Sequence, residues 1–130
     1  RQMCIRDRIM TQRWDELLFM HWSVEPSVMR SLVPSSIDLD LFDNRAWIGV
    51  VPFRMNHVRP RFSVSVPFIS FFLELNVRTY VRVNGVPGVY FFSLDCSNPL
   101  AVECARTWFH LPYYFAEMKA VSQDGWTKYK

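Results

Sequence analysis

The sequence predicts an α+β fold made mostly of antiparallel strands, and three observations predict it. From Leu73 to Val83 the chain alternates without a break: Leu73, Leu75, Val77, Thr79, Val81 and Val83 point one way, and Glu74, Asn76, Arg78, Tyr80 and Arg82 the other, as successive side chains of a strand must. Turn-forming residues, Asn84-Gly85-Val86-Pro87-Gly88, separate this strand from a second apolar run and so predict a hairpin. Only two stretches start with a well-placed proline and continue with helical spacing, so helices are few and short.

Taken in order, Thr11 to Trp22 admits two readings. Trp14, Leu17, Leu18 and Phe19 line a helix, whereas Leu17 to Val24 serves equally as a buried strand; a helical turn leading into a strand is the expectation. Pro26 suits the first position of a helix that Pro34 stops at Val33, with Val28, Met29, Leu32 and Val33 as its apolar face. Ile37, Leu39 and Leu41 alternate with Asp38 and Asp40 as a half-exposed strand. Asp43-Asn44-Arg45 is turn chemistry, and Ala46 to Phe53 returns as an apolar strand. Gly49 within it marks a bulge or a close approach of another backbone. Arg54 to Phe68 reads as a loop that gathers Arg54, Arg59 and Arg61 around His57.

The central hairpin follows. Pairing Val83 with Val89 sets Val81 opposite Phe91 and Tyr80 opposite Phe92, and a one-residue slip would exchange the partner's faces. Asn98 is a good N-cap and Pro99 a good first residue for a helix ending near His110, before Pro112. Tyr113 to Val121 reads as a strand, and Asp124-Gly125 as the turn into another beginning at Trp126.

A chain of 130 residues, half of them apolar, fits one domain with a real core. The first nine residues join no pattern and carry three of the twelve arginines. They read as a non-native or read-through leader, leaving 10–130 as the domain. Without Arg1, Arg6, Arg8 and Asp7 the net charge falls from +3 to +1, which removes the electrostatic case for nucleic acid. No apolar run approaches the roughly 20 residues of a membrane helix. Arg13, Asp15 and Glu16 interrupt any signal-like core after Met10, so the cytoplasm is expected, with Cys96 and Cys104 as reduced thiols.

His21, His57 and His110 lie too far apart to pre-place a metal, no glycine-rich loop precedes a helix, and no nucleophile elbow is present. No cofactor is expected. The polar face of the central strand is then the foremost candidate site. Arg78 is suited to grip a carboxylate bidentately, with Asn76 beside it and Glu74 about 13 Å along the strand as base or acceptor. The residues alone favour the plainer alternative, a solvated outer face. His110, Tyr113 and Tyr114 form a second candidate cluster where a helix hands over to a strand, although tyrosines there more often pack.

Several long stretches carry a resemblance: TQRWDELLFMHWSVEPSVMRSLVPSS, IDLDLFDNRAWIGVVPFRMNHVRPR, LELNVRTYV, GVPGVYFFSLD and FHLPYY. They resemble the bacterial YqjF-like family, domain of unknown function 2071, from about Met10 to the last residue. The family is related to the acetoacetate decarboxylase-like superfamily, which implies a curved sheet or barrel around a cavity. It also implies that the family's chain continues past Lys130, making this sequence the N-terminal part of one domain. Phe109-His110-Leu111-Pro112-Tyr113-Tyr114 resembles the decarboxylase segment that bears paired lysines, and tyrosines stand where the imine-forming lysine would be. Glu74 resembles the decarboxylases' strand glutamate, while Ser23 stands where they have an arginine. The resemblance therefore implies a small organic acid or carbonyl ligand in a β-barrel cavity, without lysine Schiff-base chemistry. Two alternatives stay open: an enzyme using Glu74 as acid or base and tyrosine polarisation on a keto-acid-like substrate, and a non-catalytic structural or partner-binding module.

Overall fold

A computed structural model of the chain describes residues 10–60, 71–109 and 112–130. Among the described residues nine strands and two helices follow one another: β1 (Met10–Asp15), β2 (Met20–Val24), α1 (Pro26–Leu32), β3 (Asp38–Leu39), β4 (Ala46–Pro60), β5 (Phe72–Val83), β6 (Val86–Cys96), α2 (Pro99–Phe109), β7 (Tyr113–Phe115), β8 (Ala120–Gln123) and β9 (Trp126–Tyr129). Seven strands form one sheet in the order β1-β4-β5-β6-β7, with β2 also on β4 and β3 on β5; β8 and β9 pair separately. All pairs are antiparallel except β6–β7, which α2 connects. The mostly antiparallel α+β expectation therefore holds, with one parallel pair added.

Both helices begin as their sequences direct. Pro26 opens α1, and Arg30 closes its far end by donating to the carbonyls of Ile37, Val33 and Pro34. The Asn98 Oδ1 accepts from the amides of Leu100 at 3.0 Å and Ala101 at 3.2 Å, satisfying two donors at the start of α2.

Four expectations need correction. Met10–Asp15 is a strand with no helical turn, because it pairs with the far half of β4. That half is itself strand through Pro60, so Arg54 to Pro60 is not a loop; β1 pairs with it out to Pro60, and β5 as far as Met55. Residues 61–70 lie outside the described residues. The hairpin loop is two residues, Asn84 and Gly85, both at positive φ as a type I′ turn requires, so Val83 pairs with Val86 rather than Val89. Finally, Tyr113 to Val121 is split into β7 and β8, each with a different partner. Asp124-Gly125 is the expected turn, again with both φ positive.

One irregularity sets which side chains share a face. Along β5–β6 the register runs from Glu74↔Cys96 to Val77↔Ser93, then shifts so that Arg78 faces Phe91 and Phe92 is left unpaired. Below this bulge Leu94 and Cys96 lie on the face of Glu74. Above it Tyr90 and Phe92 turn to the other face. There α1 packs down through Met29 and Val33 onto Ala46 and Val81.

Candidate functional site

The candidate site is the face of β4 and β5 turned away from α1. Cross-strand pairs Phe53↔Glu74, Val51↔Asn76 and Gly49↔Arg78 set it out. The expectation that this face is solvated is overturned: Glu74 is 3% and Asn76 2% exposed. Neighbouring strands supply Val51, Phe53, Met55, Leu94 and Cys96, all buried, and Trp14 of β1 lays its ring 4.7 Å from that of Phe53. A strand whose polar positions face such neighbours carries them inward.

Glu74 sits at the deep end. The Tyr113 hydroxyl donates to its Oε2 at 3.1 Å, because the parallel pairing of β7 sets Tyr113 beside Leu94. Burial pushes the Glu74 carboxyl up to about 7, an effect the Tyr113 hydrogen bond only partly offsets. Burial also raises the Tyr113 hydroxyl, with the Glu74 charge adding to it. Cys96, a free and buried thiol, is pushed up to about 11 chiefly by burial, which leaves it inert as a nucleophile at neutral pH.

Further along β5, the Asn76 Oδ1 and the Arg78 Nε are buried and have no hydrogen-bond partner among the described residues. The Arg78 guanidinium lies between two rings, 5.4 Å from the centroid of Phe19 and 5.9 Å from that of Tyr80. Beside it, the His21 Nε2 and the Tyr80 hydroxyl are hydrogen-bonded at 2.6 Å, and the His21 ring stacks on Phe19 and Tyr80. Gly49 makes room for this group. A Cβ there would stand 3.2 Å from the His21 Nε2 and 3.5 Å from the Arg78 Cγ, so the close approach is that of side chains, with no bulge at that position.

The six residues singled out in the sequence thus separate. Glu74 and Tyr113 touch, and Asn76 and Arg78 share their face. Tyr114 does not join them: it pairs with Asp95, on the opposite side of the sheet, and is 52% exposed. His110 lies outside the described residues. His21 and Tyr80 were missed as a pair, and the signal was Gly49, a glycine within an apolar strand whose cross-strand partner on β2 is His21. All three lysines are exposed. Among the described residues no group of three or more His, Cys, Asp or Glu side chains gathers as a metal ion would need.

Residues 11–130 match the model of the family domain of unknown function 2071, described as an uncharacterized conserved protein. The chain belongs to this family. It is 50% identical over 112 residues to the uncharacterized protein YqjF of Bacillus subtilis (strain 168), covering 86% of the present chain and 46% of that protein. Among solved structures it resembles acetoacetate decarboxylase from Legionella pneumophila, with a TM-score of 0.67 at 14% identity over 90% of this chain and 42% of that one. It also resembles the enduracididine biosynthesis enzyme MppR complexed with pyruvate, with a TM-score of 0.63 at 10% identity over 89% and 45%. The fold of this family member is therefore acetoacetate decarboxylase-like. The chain spans less than half the length of each of these proteins.

Proposed function

We propose that this face binds a small organic acid or carbonyl compound without forming a lysine imine. One observation carries the reading: two buried polar atoms, the Asn76 Oδ1 acceptor and the Arg78 Nε donor, stand unpaired among the described residues on the face that also buries Glu74. An unpaired buried polar atom costs free energy, so a ligand supplying both partners would gain from filling them. A carboxylate or carbonyl oxygen suits Arg78 and a hydroxyl suits Asn76, which together describe a keto or hydroxy acid. A cytoplasmic location belongs to this reading; separately, among the described residues no helix is long and apolar enough to cross a membrane.

Thermal-shift titration with a series of small keto and hydroxy acids tests it. A ligand at 100 times its Kd stabilises the fold by about 2.7 kcal/mol. The expected result is a rise in Tm with at least one acid that Arg78→Gln abolishes; no shift with any acid would refute the reading.

A second reading makes the same face catalytic. A Glu74 carboxyl at about 7, hydrogen-bonded to Tyr113, is suited to exchange protons at neutral pH. Once a substrate is in hand, Glu74→Gln separates the two readings: retained binding with lost turnover supports catalysis, and unchanged turnover excludes it.

A further inference from the structure

We propose that the bound acid carries an aromatic substituent, seated in the groove that continues the polar face beyond Tyr80. The inference rests on the acid-binding reading above and names the class of acid. A groove of about 580 Å³ opens there, walled by His21, Leu41, Phe42, Trp47 and Tyr80. It lies on the same side of the sheet as the polar face, because Trp47 follows Val51 and Gly49 on that side of β4, and Tyr80 follows Arg78 on that side of β5. His21 and Tyr80 belong to both. The Tyr80 ring lies 5.9 Å from the Arg78 guanidinium and lines the groove, with His21 hydrogen-bonded to the Tyr80 hydroxyl, so an acid held by the Arg78 Nε lies toward the groove.

Charge and surface decide what the groove rewards. Arg82 on its floor is already matched by Asp40 at 2.8 Å, so a charged substituent gains little there. The remaining lining is apolar and aromatic. The Phe42 ring sits edge-on to Trp47 at 6.4 Å and is 68% exposed, and Leu41 is 44% exposed. Such a surface gains by covering, at about 25 cal/mol per Å² of apolar area, and a flat ring fits between aromatic walls that meet edge to face. A three-carbon acid would fill only a small part of this volume, since pockets of 300–1,000 Å³ suit larger molecules.

Calorimetric titration of the protein with pyruvate and with phenylpyruvate tests the proposal. Phenylpyruvate is expected to bind at least tenfold more tightly, and Phe42→Ala, at a largely exposed position, to narrow that gap at least threefold. Phe42→Leu, which keeps apolar cover but removes the ring, is expected to narrow it less. Equal affinities for the two acids would overturn the aromatic substituent while leaving acid binding in place, as would a gap unchanged by Phe42→Ala. Binding of neither acid would overturn this proposal, and binding of none of the wider series would overturn the acid-binding reading with it.

Discussion

The two faces of the β4–β5 ladder both bury apolar side chains and differ in how their polar groups are treated. On the face under α1, Met29, Val33, Ala46 and Val81 close an apolar core, and buried Thr79 there donates its hydroxyl to the Trp47 carbonyl at 2.8 Å. On the other face Val51, Phe53 and Met55 are as dry, yet Glu74 and Asn76 lie among them and the Asn76 Oδ1 has no partner among the described residues. Burial alone does not distinguish a structural face from a binding face. The distinction is whether the buried polar atoms are satisfied from within the chain.

Three sets of substitutions break or sharpen this comparison. The largest effect should come from volume, where the faces are alike: Phe53→Ala on the polar side is expected to cost 3–5 kcal/mol and Met29→Ala under α1 2–5 kcal/mol, read from urea midpoints. Next is Glu74, which has no counterpart under α1. Its carboxyl is raised from 4.5 to about 7 in the fold, so the native state binds the extra proton. Its contribution is full below about pH 4.5, declines as pH rises through 7 and is flat above, a loss on the order of 3 kcal/mol. Stability curves should therefore fall across that window in the unmodified chain and stay level in Glu74→Gln. The smallest effect contrasts two polar groups. Thr79→Val leaves the Trp47 carbonyl without its donor and should cost about 1 kcal/mol, whereas Asn76→Leu removes an already unpaired acceptor and should be close to neutral.

Much of this was legible in the residues. The alternation from Leu73 to Val83 defined the two faces of β5 correctly, and Asn98-Pro99 and Pro26 placed both helix starts. Orientation was not legible, because alternation says that two sets of side chains diverge and nothing about which set meets a core. That depended on Phe53 and Val51 arriving from β4 and on Leu94 and Cys96 from β6. The His21–Tyr80 pair was hidden for the same reason, its members being 59 residues apart. Resemblance singled out Glu74, but could not tell Tyr113 from Tyr114; the parallel pairing of β7 sets one toward Glu74 and the other away.

The unpaired Phe92 has a consequence for counting along the chain. In an ordinary strand two residues an even number apart share a side, and on β6 that rule inverts across position 92. Even-numbered Tyr90 therefore serves the helix side, while even-numbered Leu94 and Cys96 back the carboxyl of Glu74. Removing Phe92 would restore simple parity yet leave every cross-strand pair as it is, so Leu94 and Cys96 would stay behind Glu74 and the helix side would lose the Phe92 ring that packs against Tyr90. One supernumerary residue gives the helix side an extra ring while the wall behind Glu74 keeps its register.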